Sequence, residues 1–405
     1  MESPRRPPRP PIAFVSLPLL LLPLLLLSVA TVVALFLHTD TNIAMLYSQC
    51  HARARLPALT HSALPSALAT PLCFILSLFA EATGAGAGTD GPSSLRAAAL
   101  LAAQLAFLAA LVTTSLVESA RIRNRPSRTI RCPTPALLLA VLAAGALAWE
   151  LVLVPAHLRR GRAVVRSRRS GERVLEGARA TDPDLGERAR ALRAGPAEVL
   201  AVPAAVAAGF VAPSGAMLLL GCPAAVAAWL AFPVWVMLVR VAVRAGVNAV
   251  VARRRTAAAA AAGGPEERDG GRRGVMEVPP VLLESSRGAL LGVYAGPVLL
   301  SAAAHVFLLV SATMRDDRLE MTRAALHFIL IHGLSIGLTV LYWLFVEAGW
   351  RVVVATVAAA AVLGPGAGVC IGWVYRERFV DMDESVRAVA VGGSREPSEH
   401  TPLLR

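Results

Sequence analysis

The chain has 405 residues, is 56% hydrophobic with a mean hydropathy of +0.59, and carries a formal charge of +13. Soluble globular proteins reach an apolar fraction of about half only when glycine is counted, so the composition excludes an ordinary soluble enzyme and predicts an all-α, polytopic transmembrane helical bundle. All 40 basic residues are arginine, in company with abundant Ala, Gly, Pro and Val. With no nucleic-acid module beside it, this charge reads as loops facing the cytosol and anionic lipid, with the lipid bilayer as partner and nucleic acid excluded.

Residues 1–11 (SPRRPPRPP and its flanks) are too rich in proline for a helix and read as a disordered cytosolic N-terminus, followed by a transmembrane domain over 12–380 and a disordered tail over 381–405. Ile12 to Leu37 is an almost unbroken apolar run, long for a signal-peptide core and read as an uncleaved anchor. Further apolar runs fall at Leu64 to Ala80, Leu95 to Val117, Pro135 to Ala156, Ala197 to Leu220, Cys222 to Val243, Ala289 to Ala312, Ala324 to Val346 and Val352 to Val374. The expectation is therefore eight or nine spans.

With nine spans and a cytosolic N-terminus, 25 arginines lie in the cytosol and 15 opposite. The cluster from Arg121 to Arg131 then falls on the wrong side. The dileucine-like tail Glu399 to Leu404, a pattern of vacuolar sorting readable only in the cytosol, falls there too. Loops 157–196 and 246–287, mixtures of Arg, Glu and Gly, read as poorly ordered connectors.

Polar residues within spans mark candidate chemistry, because an ionised group at mid-membrane costs about 2.5–3.5 kcal/mol even on lenient scales. Glu118 closes the third run in VESARIRNRPSR, where Arg121, Asn124 and Arg125 follow at helical spacing. Glu150 lies about 10 Å inside its run by helical rise, a depth that suits a polar pairing or a neutral acid. His305 and His332 are candidates either for chemistry or for interhelical hydrogen bonds. Gly333 and Gly337, like Gly364 and Gly368, are spaced for close helix packing. Pro203, Pro213, Pro233, Pro297 and Pro365 should kink their helices and open a chamber, bordered by the aromatics Trp149, Trp229, Phe232, Trp235, Tyr294 and Trp343.

Five scattered cysteines give no disulfide framework and no zinc site. No phosphate-binding loop, H-E-x-x-H or G-x-S-x-G is present. Asp316-Asp317-Arg318-Leu319-Glu320 stands without a second acidic motif and reads as a solvated turn, so neither metal nor other cofactor is expected.

VESARIRN, VAPSGAM, AAWLAFPVWVML, the Tyr294 to His305 segment and LGPGAGVCIGWVYRERF resemble, in order, the fungal membrane-bound terpene cyclases of the ascofuranone-pathway type, over about residues 118–380. The resemblance implies a metal-independent cyclase of meroterpenoid secondary metabolism in the endoplasmic reticulum. Such an enzyme protonates a prenylated, epoxidised substrate and guides the cation. It also implies Glu118 as acid or base, roles for His305 and the Arg376-Glu377 pair, and substrate contacts from Arg121 and Asn124. The family usually has an aspartate where FILIHGLSIG places His332, and a W-Q pair before FPV where this chain has Trp229, Leu230 and Ala231. Either His332 is the proton donor or the chain has diverged to other chemistry. The competing expectation is a non-enzymatic polytopic protein or small transporter, which paired discontinuous helices would favour.

Overall fold

The computed structural model describes residues 11–38, 66–83, 94–121, 124, 126–169, 196–261, 287–316, 318 and 320–377. Readings made for Arg125, Asp317, the two termini and most of both arginine-rich connectors lie outside these residues. The described chain is helical with no strand. Its elements are α1 (Leu17–His38), α2 (Ser66–Thr83), α3 (Leu95–Ala120), α4 (Arg128–Arg131), α5 (Thr134–Leu139, continued by a π-helical turn to Ala144), α6 (146–169), α7 (196–220), α8 (Pro223–Leu230), α9 (Phe232–Ala261), α10 (Arg287–Ala312), α11 (Glu320–Ala348), α12 (Trp350–Leu363) and α13 (Pro365–Arg376). Among them six helices are long and apolar enough to cross a bilayer, in α1, α3, α7, α9, α10 and α11.

The centre of the bundle is α3, buried around almost its whole circumference. Ser94 caps it by accepting the Ala97 N–H at 3.2 Å, and no Gly or Pro interrupts the helix. Its alanines let neighbours approach from every side. Thr113, Thr114 and Ser115 return their hydroxyls to the carbonyls of Ala109, Ala110 and Leu111, so they add no unsatisfied polarity to the core.

Side-chain contacts fix the helix directions. Gly333 of α11 lies against Gln104 of α3 and Gly337 against Phe107, so these two helices run parallel. Tyr294 of α10 is buried among the charges around Glu118 at the C-terminal end of α3, whereas Ser301 lies level with Ala106, so α10 runs the other way. Glu198 at the start of α7 pairs with Arg240 of α9 at 3.0 Å, and Gly209 meets the Val236 backbone. That pair is antiparallel.

Two apolar runs expected to be single spans turn back on themselves. Gly145, at φ 48°, breaks the run 135–156. From there α6 climbs beside α11 in a constant register: Ala146 with His332, His157 with Trp343 and Gly161 with Glu347, every pair 186 residues apart. Because α4 packs on α3 near its C-terminal end and Glu347 lies at the same end, both arms of this hairpin open there. Similarly, Gly364 at φ 88° splits the run 352–374. Beyond it Gly368 packs on Thr356 and Ala360, and Gly372 on Thr356, which makes α12 and α13 a tight antiparallel pair. With 14 and 12 residues these helices span only about 21 and 18 Å, short of a roughly 30 Å hydrocarbon core. Pro365 therefore opens α13 instead of kinking a span, its missing N–H being one the first turn does not need.

Other expectations shift locally. The Cys222 to Val243 run is α8 plus the start of α9, broken at Ala231. A π-helical turn at Ala207–Val211 precedes Pro213 and absorbs the lost hydrogen bond. Both arginine-rich connectors begin as helix, α6 continuing to Arg169 and α9 to Ala261, in keeping with the high helix propensity of Arg and Ala. Cys73 is disulfide-bonded, to a cysteine outside the described residues, while Cys132, Cys222 and Cys370 are free. One disulfide is thus present where the scattered cysteines gave no sign of a framework.

Candidate functional site

The residues singled out from sequence separate into a charged cluster at one end of the bundle and an apolar cavity nearer its middle. In the cluster, Glu118 is 1% exposed. Its Oε1 accepts from Arg376 at 2.9 Å and Trp373 at 3.0 Å and lies 3.1 Å from Arg121 Nε. Its Oε2 accepts from Asn124 at 2.8 Å. Arg121 also pairs with Glu377, and Arg376 with Glu347. Three carboxylates and two guanidiniums are thereby buried together, joining the ends of α3, α11 and α13. A carboxylate with this many donors is held ionised and structurally occupied. Glu347 and Trp373 were not singled out in the sequence, although Glu347, alone in LFVEAGW near the end of an apolar run, carried the same signal as Glu118.

The cavity lies between α2, α3, α5 and α11 and has a volume of about 620 Å³. Its aromatic wall is Phe74, Phe79, Phe107, Phe328, Trp149 and Trp229. Gln104 and His332 are the described wall residues with polar side chains apart from the two indoles, and among the described residues no Asp, Glu or Arg lines it. Leu142, a wall residue, is 38% exposed.

His332 is positioned from two sides. Phe328, one turn earlier on α11, packs edge-on at 4.7 Å, and the Ala146 N–H donates to Nδ1 at 3.1 Å. An imidazole accepting at Nδ1 carries its proton on Nε2 and is neutral. The turn at Gly145 makes this possible, since a Cβ there would come within 2.6 Å of the His332 ring.

The remaining candidates lie elsewhere. Glu150 is fully buried in a π-helical turn of α6, with Oε1 2.8 Å from the Thr31 hydroxyl of α1, facing away from the cavity. His305 lies against Gly364 at the tip of the other hairpin, with Nδ1 unpartnered among the described residues. Phe232 is buried edge-on to Phe210, and Trp343 lies between Trp373, which meets it edge-on, and the tilted ring of His157. Trp235 is 43% exposed on the outer surface, its indole N–H bound to the Ala228 carbonyl. Tyr294 is buried behind the charged cluster. Of the residues expected to act together, only His332, Trp149 and Trp229 share the cavity. At the opposite end of the bundle, Arg318 donates twice to Asp316 and holds its carboxyl well below the usual carboxylate range, which occupies the one described aspartate of the acidic motif. Comparison with protein-family models, with curated proteins and with solved structures finds no match.

Proposed function

We propose that the protein is a membrane-embedded binding and transfer protein that takes an apolar small molecule from the bilayer into the cavity and orients it by one hydrogen bond from His332 Nε2. The observation that carries this reading is the wall: six aromatic rings, a neutral imidazole, one amide and no ionised side chain. Its volume lies within the roughly 300–1,000 Å³ typical of small-molecule sites. The hairpin whose Gly145 tip meets His332 at the cavity wall supports the transport class, in which discontinuous helices border the cargo.

A second reading is proton-initiated cyclisation of a prenylated substrate, which the aromatic wall favours because ring faces attract cations. That chemistry needs a Brønsted acid at the wall. Glu118 is two helical turns beyond Leu111, the last wall residue of α3, and is ion-paired; Glu150 points to α1. One experiment separates the readings: full-length protein in lipid nanodiscs is incubated with a farnesylated phenol or its epoxide and then extracted. Unchanged probe retained by wild type and lost by at least tenfold in Ile336→Trp supports binding. An isomeric product that disappears in His332→Phe supports cyclisation, and neither retention nor product contradicts both.

For the membrane topology we propose six crossings, by α1, α3, α7, α8 with α9, α10 and α11, plus the two re-entrant hairpins. Ile12 and Glu377 then lie at the same face. With that face cytosolic, 34 of the 40 arginines are on the cytosolic side. Only Arg53, Arg55, Arg96, Arg315, Arg318 and Arg323 are opposite. The wrong-side cluster from Arg121 to Arg131 disappears as a problem, and the C-terminal tail leaves from the cytosolic face. The Cys73 disulfide, on α2 and so between the end of α1 and the start of α3 that this topology puts at the other face, is in keeping with an oxidising lumen there. The endoplasmic reticulum is the compartment that the family resemblance implies.

A further inference from the structure

Behind the cavity wall, α1, α6 and α11 enclose a polar trio. Glu150 is 0% exposed, Thr31 2% and Ser335 7%. The Thr31 hydroxyl lies 2.8 Å from Glu150 Oε1, 3.0 Å from Ser335 Oγ and 2.9 Å from its own helix's Leu27 carbonyl. Glu150 Oε2 is buried with no partner among the described residues. No ion pair reaches this carboxyl in the described structure, in contrast to Glu118.

Counting hydrogens decides what occupies the trio. A threonine hydroxyl has one proton and two lone pairs. The Leu27 carbonyl can only accept, so if Thr31 donates there, its contacts to Glu150 and Ser335 require both of those to donate. Ser335 has a hydroxyl proton to give. Glu150 has one only as the neutral acid. All three contacts of Thr31 are satisfied together when Glu150 carries a proton, and one is lost when it does not. No metal-binding cluster of His, Cys, Asp or Glu exists among the described residues.

We propose that Glu150, Thr31 and Ser335 form a buried proton-binding site, with a single exchangeable proton on Glu150 as its ligand. The surroundings suit an isolated titration. Among described residues α1 offers no titratable side chain before His38 at its far end, and α5 none. The facing stretch of α11 holds His332, one turn from Ser335 and already engaged at Nδ1; Glu320, Arg323, His327 and Glu347 are more distant, and α6 itself adds His157, packed on Trp343, and further on Arg159, Arg160, Arg162, Arg166, Arg168 and Arg169. Placement in a π-helical turn, a form of helix found at functional sites, gives α6 a local register that a change of charge could reset. Ala146, which anchors His332, lies one turn from Glu150 on the same helix, and Ser335 one turn from His332 on α11. Proton occupancy is thus linked mechanically to the wall of the cavity, and the proposal deepens the binding reading with a proton as its regulator or coupled ion.

The test is infrared difference spectroscopy on full-length protein in nanodiscs across a pH series. It needs no cavity ligand, so its outcome is independent of whether the binding reading holds. The expected result is a deuterium-sensitive carbonyl stretch of a protonated carboxylic acid at neutral pH, absent in Glu150→Gln and indifferent to sodium. Thr31→Val removes the one donor available to the ionised form, so proton affinity should rise at least tenfold and the midpoint move up by about one pH unit. Absence of the band in wild type, its persistence in Glu150→Gln, or its displacement by sodium would each overturn the proposal.

Discussion

The charged end and the cavity of this bundle bury polar groups by opposite means. At the charged end Glu118, Glu347 and Glu377 are neutralised by Arg121 and Arg376, and each helix terminus that meets there is held by an ion pair. At the cavity a neutral His332 and Gln104 stand alone among rings and aliphatic chains. Clusters of the first kind fix geometry, because removing one member strands an unpaired charge in a low-dielectric setting. Sites of the second kind leave hydrogen-bonding capacity for a visitor. The difference shows why ionisable residues near a membrane rim are weak evidence of catalysis, and why the one polar ring in an apolar wall is better evidence of recognition.

Substitutions can break that contrast, and the largest effect belongs to the charged end. Arg376→Ala leaves Glu118 and Glu347 short of a donor and should destabilise the fold by about 3–5 kcal/mol, read as loss of monodisperse protein on thermal challenge. A merely moderate loss is expected where the hairpin arms touch: Gly368→Leu inserts a side chain against α12, where a Cβ would meet the Ala360 Cβ at 2.6 Å and the Thr356 carbonyl oxygen at 2.7 Å. Overpacking of this kind costs about 1–3 kcal/mol, and proteolysis of α12 and α13 should accelerate in proportion. Ile336→Trp fills the cavity near its centre, so its thermal midpoint should stay close to wild type while probe retention falls at least tenfold. His332→Phe should be the gentlest. It keeps the ring packing on Phe328 but removes both the Nδ1 acceptor of the Ala146 N–H and the Nε2 donor to the probe; the bond lost to the probe is worth about 1 kcal/mol, so affinity for a probe with an oxygen acceptor falls about fivefold and affinity for the pure hydrocarbon stays the same.

Much of the bundle was legible in the sequence because apolar length is a one-dimensional signal. Ala197 to Leu220, Ala289 to Ala312 and Ala324 to Val346 are helices close to the bounds that composition gives. Reversals were not legible. Gly145 and Gly364 sit in apolar runs of spanning length, and hydropathy has no term for a positive φ; only the tip contacts reveal two hairpins where two spans were expected. This is also why the arginine count pointed to an awkward topology until the hairpins were recognised. At the site, helical spacing in the sequence put Glu118, Arg121 and Asn124 together, and they do meet, but it did not place the Arg376-Glu377 pair beside them. It could not tell that they neutralise one another. Nor could it show that His332 and Glu118, 214 residues apart in sequence, lie on parallel helices at different depths. Thr31 and Ser335 carried no signal, because single hydroxyls in apolar helices usually bond only to their own backbone.

The central claim is that the molecule's working site is the cavity and not the ion cluster. A photoactivatable prenyl probe, crosslinked to the full-length protein in nanodiscs and mapped by peptide mass spectrometry, tests it most directly. The account predicts adducts on residues 101–111 of α3 and 328–336 of α11, abolished in Ile336→Trp. Adducts concentrated around Tyr294, Trp373 and Glu118, with the cavity peptides unlabelled, would contradict it.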